Sequence, residues 1–130
     1  MKLTYNPDAD SEFQYKCAPH TPARKAAVDA IRNGPSVNDL VTLAEARHGY
    51  TNTDGYFGIT YPSDLDDHDR ANGESIPNGF VHAIAWYGAN NGETHELPER
   101  DYLELLRQFL LLNQREELAN RVRKLLAKDA

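Results

Sequence analysis

The 130-residue chain is 40% apolar and 26% charged, ordinary soluble proportions that exclude a disordered or collagen-like class. No apolar run approaches the roughly 20 residues that a membrane-spanning helix needs, and the Leu-rich run Phe109-Leu110-Leu111-Leu112 falls far short. A net charge of −6 speaks against direct nucleic-acid binding, because such a field repels phosphate.

The length fits one compact domain over residues 1–130. The start, MKLTYNPDADSEF, turns acidic before any hydrophobic stretch, so no secretory signal is expected. The single Cys17 cannot form an internal disulfide, which fits a reducing compartment, and the cytoplasm is the expected location.

In chain order, Leu3-Thr4-Tyr5 and Phe13-Gln14-Tyr15 alternate apolar and polar residues around the turn-rich Asn6-Pro7-Asp8-Ala9-Asp10, which predicts a short hairpin or edge pair. Thr21-Pro22 supplies an N-cap and a first-turn proline, and Gly34-Pro35 ends the segment, so 22–33 is read as helix. Ser36 with Asp39 resembles a capping box ahead of the stripe Val37, Leu40, Val41 and Ala44, a second helix stopping near Gly49.

The period then changes. Tyr56-Phe57-Gly58-Ile59-Thr60-Tyr61, closed by Pro62, reads as a strand. Phe80-Val81-His82-Ala83-Ile84-Ala85-Trp86-Tyr87 reads as the central strand, covered on both sides, with a turn at Gly88-Ala89-Asn90-Asn91-Gly92. Pro98 opens a third helix with the stripe Tyr102, Leu105, Leu106, Phe109 and Leu110. Asn113 with Glu116 predicts the cap of a fourth, whose stripe is Leu118, Val122, Leu125 and Leu126. The fold class is α+β: a small antiparallel sheet packed against about four helices.

Charge is unevenly placed. Residues 1–48 carry six acids and six bases, residues 49–75 six acids against Arg70 alone, and residues 76–130 eight acids against seven bases. The excess centres on 62–79, PSDLDDHDRANGESIPNG, far longer than a hairpin loop requires and nearly without apolar residues apart from Leu65 and Ile76. An exposed insert is therefore expected. It fails as a calcium loop: counting from Asp64 puts His68 at position five and Asp69 at six, and counting from Asp67 puts Ala71 and Asn72 there. An irregular cation site at Asp64, Asp66, Asp69 and Glu74 would have no recognisable geometry, and no metal or cofactor is assigned.

Two readings of the insert stand side by side, a solvated loop and a binding surface for a basic partner. For the second, Asp64, Asp66, Asp67, Asp69 and Glu74 would steer encounter, and Tyr56, Tyr61 and Trp86, with Tyr87, would supply contact area on the flanking strands. Strand aromatics also pack in cores, Trp86 and Phe57 foremost.

Catalytic signatures are weak. No GxSxG, GxxxxGK[ST] or GxGxxG occurs, no two histidines have helical i, i+4 spacing, and Cys17 has no CxxC partner. His82 could pair with Asp54 or Glu96 as an acid/base couple, and Lys16 and His20 near Cys17 could lower its thiol. No catalytic residue is assigned, and a non-enzymatic binding protein is expected.

The run GYFGITYPSDLDDHDRANGESIPNGFVHAIAWYG, followed by PERDYLELLRQFLLLNQREELANRVRKLLAK, resembles the small bacterial immunity proteins that accompany polymorphic and contact-dependent growth-inhibition toxins. The resemblance implies inhibition of a cognate toxin domain in the producer's cytoplasm, for example a nuclease whose basic surface the acidic insert would meet. Two alternatives remain: a non-catalytic adaptor or a dimeric module using the Leu-rich helix 102–112, and a small enzyme or cation-binding domain.

Overall fold

The computed structural model describes residues 1–52, 56–87 and 93–128. Its first strands, β1 (Lys2–Tyr5) and β2 (Tyr15–Ala18), pair antiparallel with Leu3 opposite Cys17 and Tyr5 opposite Tyr15. The hairpin expected from the sequence is there, but its second strand starts later. Phe13 instead closes a 3-10 turn, its N–H donating to the Asp10 carbonyl at 2.8 Å.

Helix α1 (Pro22–Arg32) starts where Thr21 Oγ1 accepts the Arg24 N–H at 3.1 Å, and α2 (Val37–Ala46) where Ser36 Oγ accepts the Asp39 N–H at 3.2 Å. The sequence points to Gly49 as the stop of α2, yet Arg47 ends it in the left-handed region, with φ 55° and ψ 46°. The Arg47 and His48 N–H groups return to the Ala44 and Leu43 carbonyls, a Schellman closure. Gly49 serves another purpose. A Cβ there would lie 1.9 Å from the Ile59 carbonyl oxygen, so only glycine admits the close approach.

The larger sheet is an antiparallel meander of β3 (Tyr50–Thr51), β4 (Phe57–Thr60), β5 (Phe80–Ala85) and β6 (Glu93–Pro98), in that spatial order. β5 is an inner strand, as its composition predicts. The short β3 and the charged β6 are additions to the sequence reading, and Pro98 ends β6 before it caps α4 (Glu99–Leu112). The turn expected at 88–92 lies outside the described residues. The α4 chain reverses through Gln114, at φ 57°, into α5 (Glu116–Lys128). Asn113 caps the end of α4, its Nδ2 donating to the Phe109 carbonyl at 2.8 Å, and not the start of α5 as its sequence context suggests.

Alternation along the strands decides where the core lies. Ile59, Val81, Ala83, Ala85 and Leu97 are buried beneath the helices, together with Ala27, Ala30, Leu40 and Leu105. The α4 stripe is part of this core: Tyr102, Leu105, Leu106 and Leu110 are all at most 1% exposed and Phe109 packs against it, while Leu111 of the same helix is exposed. No helix of the described residues is long and apolar enough to cross a membrane.

Candidate interaction surface

The meander places alternate residues of each strand on a second, outer face. Registers Thr60–His82, Gly58–Ile84, His82–Glu96 and Ile84–Thr94 put these six residues together there. The expectation that β5 is covered on both sides is corrected: its burial alternates strictly, and Phe80, His82 and Ile84 are only half-buried. The insert covers part of that face. Leu65, Gly73, Glu74 and Ile76 enclose with His82 and Ile84 a cavity of about 360 Å³.

The insert is also more ordered than a bare exposed loop. It holds a 3-10 turn (Pro62–Asp64) and the short helix α3 (Asp67–Ala71), and Ile76 is 8% exposed. Composition misleads here because backbone caps, rather than apolar residues, organise most of it. Asp64 anchors the start, its Oδ2 accepting the Gly49 N–H at 2.8 Å and the Tyr61 N–H at 2.7 Å while Oδ1 meets His48 Nδ1 at 3.3 Å. Asp66 and Asp69 cap each other's backbone reciprocally, at 2.8 and 3.0 Å. Asp67 is fully exposed, its contact with Arg70 stretched to 3.7 Å. The backbone N–H of Asp66 holds Asp69 below the usual carboxylate range, and Asp69 in turn pushes Glu74 up. Asp64 is thus a structural residue, and Asp66, Asp67, Asp69 and Glu74 form the exposed acidic surface.

The aromatic residues divide. Tyr56 and Trp86 stand one step beyond the Phe57–Ala85 pair, their ring centroids 5.6 Å apart, at 47% and 37% exposure. Trp86 is therefore not a core residue, whereas Phe57 packs against the core. Tyr61 is 1% exposed and contributes no contact surface. Strand parity explains this: Tyr61 lies two positions after the inward Ile59. The Tyr56–Trp86 pair sits at the Phe57 end of β4, and the insert leaves from the Thr60 end, about 13 Å of strand away.

One buried acid escaped sequence reasoning. Asp29 is 3% exposed in α1, held by Lys25 Nζ at 3.1 Å, Arg32 at 3.7 Å and the Tyr87 hydroxyl. Burial pushes the Tyr87 phenol up, with Asp29 adding to the shift. The available signal was an acid within the otherwise apolar run Ala26-Ala27-Val28-Asp29-Ala30-Ile31. Tyr87 is thus anchored to α1 through its hydroxyl while the residue stays 48% exposed.

The potential catalytic groups do not assemble further. His82 Nε2 meets Glu96 Oε1 at 3.1 Å, one of the two couples the sequence allows; Asp54 lies outside the described residues. Cys17 runs against expectation, since burial raises its thiol despite the lowering by Arg24. Among the described residues no group of three His, Cys, Asp or Glu side chains is placed to hold a metal. No family model, curated protein or solved structure matches the chain.

Proposed function

We propose that this protein binds and neutralises a cognate toxin domain with a basic surface, as the resemblance to bacterial immunity proteins implies. The observation that carries the reading is the outer sheet face. The insert covers only part of it, it presents the exposed Tyr56–Trp86 pair at one end, and the insert sets Asp66, Asp67, Asp69 and Glu74 at the other. Large rigid aromatics give contact area at low entropic cost, and acids around them accelerate encounter with a basic surface.

The test is capture from a lysate of the source strain at low salt, followed by expression of the captured protein with and without this chain. A basic protein that arrests growth alone and is silenced by co-expression supports the reading. Replacing Asp66, Asp67 and Asp69 by Asn and Glu74 by Gln then slows association about tenfold at low salt, and less at high salt. Full protection by a variant lacking both these acids and the two aromatics overturns it.

A further inference from the structure

The cavity between the insert and the outer sheet face is lined by two kinds of group. Its floor is the pleat of β4, β5 and β6, and its wall is the insert from Leu65 to Ile76. Leu65, Ile76 and Ile84 supply apolar surface, while Thr60, Ser75 and Thr94 bring hydroxyls that have no hydrogen-bond partner among the described residues. At about 360 Å³ it lies at the small end of ligand pockets, roughly 300–1,000 Å³, with room for one long side chain and little more.

Its charge has one sign. No Lys or Arg lines the cavity, and Glu74 does. His82 does not offset that acid: its Nε2 meets Glu96 Oε1 at 3.1 Å, so a proton gained by the imidazole is balanced by the Glu96 carboxylate. Asp69 beside Glu74 pushes its carboxyl up, and no Lys or Arg among the described residues pairs with it, so a cation brought to this point relieves a repulsion. The cavity also continues the outer face. Trp86 follows Ile84 by one pleat repeat, roughly 7 Å along the chain, so a partner seated on the Tyr56–Trp86 pair reaches the cavity mouth.

We propose that this cavity receives an arginine side chain of the basic partner, its methylene stem against Leu65, Ile76 and Ile84 and its guanidinium at Glu74 and the free hydroxyls. The proposal rests on the reading of the chain as the binder of a basic protein and names one contact of that complex. Apolar walls with acceptors at one acid suit a long side chain that carries its charge at the tip. A planar fork of five N–H donors can serve a carboxylate and several hydroxyls together, which the compact ammonium of lysine does less well.

The test is an NMR titration of the whole chain at constant ionic strength with N-acetyl-Gly-Arg-Gly-amide, and with the same peptide carrying citrulline or lysine instead of arginine. The expected result is saturable shifts sharing one Kd at the Leu65, Ile76 and Ile84 methyl groups and at Thr60 and Thr94. Citrulline, which keeps the shape without the charge, binds about tenfold more weakly, and lysine severalfold more weakly. Glu74→Gln weakens the arginine peptide about tenfold, whereas Glu117→Gln, an exposed acid of α5 outside the cavity, leaves it unchanged. Ile84→Trp fills the cavity and abolishes binding; should that variant lose its fold, Thr94→Trp, at an exposed position, carries the steric test. Shifts that rise without saturating, shifts confined to Tyr56 and Trp86, or binding unchanged in the folded variants would overturn the cavity as the site. Lysine binding as tightly as arginine would overturn the guanidinium assignment. Because the titration uses no toxin, its failure leaves a captured partner standing, and a failed capture leaves the peptide result intact.

Discussion

The two faces of the four-stranded sheet are built from alternate residues of the same strands and have opposite fates. Beneath the helices, Val81, Ala83 and Ala85 are fully buried; across the pleat, Phe80, His82 and Ile84 are half-exposed and only partly covered by the insert. The inner face sets stability by excluding water from a close-packed core. The outer face can therefore vary in chemistry at little cost to the fold, and that freedom suits a recognition surface.

The largest effect that sharpens this contrast comes from the core. Leu105→Ala, at a fully buried position, is expected to cost about 3 kcal/mol by urea unfolding, against about 1 kcal/mol or less for Ile84→Ser on the outer face. Equal losses would erase the distinction. Within the insert, Asp64→Ala removes the acceptor of two backbone N–H groups and should cost about 2 kcal/mol, whereas Asp67→Ala should stay within about 0.5 kcal/mol. Amide exchange would report the same difference, with faster exchange at Gly49 and Tyr61 in the first variant alone.

A smaller effect appears on the acid side. Arg107 holds Glu104 below its ordinary 4.5, so the folded pKa is depressed relative to the unfolded chain. The pair's stabilisation is then complete above about pH 4.5 and is lost as pH falls through the folded value. Glu104→Gln should flatten the stability profile below that pH by under about 1 kcal/mol and leave the neutral-pH slope unchanged. A steeper acid loss in the variant would contradict the assignment.

Much of the fold was legible where local chemistry is self-sufficient. Thr21-Pro22 and Ser36 start helices because their side chains cap within three residues, and the α4 and α5 stripes need only the helical period. β6 was less legible: Glu-Thr-His-Glu-Leu-Pro has few strand formers, and its pairing with β5 decides its state. The site was legible in composition and not in arrangement. The acids mark the insert, but which of them caps backbone and which faces solvent depends on a 15-residue separation between Asp64 and Gly49. Of the strand aromatics offered as contact residues, Trp86 faces solvent and Tyr61 the core, because one residue of strand parity moves a ring from one to the other.

The proposed separation of stability from recognition is tested most directly by the Tyr56→Ser, Trp86→Ser variant, with its urea midpoint and its affinity for the proposed toxin partner measured on the same preparation. The expected result is a loss of partner affinity of about 100-fold with a stability change of under about 1 kcal/mol. Unchanged affinity in a folded variant would show that the outer face is not where the partner binds.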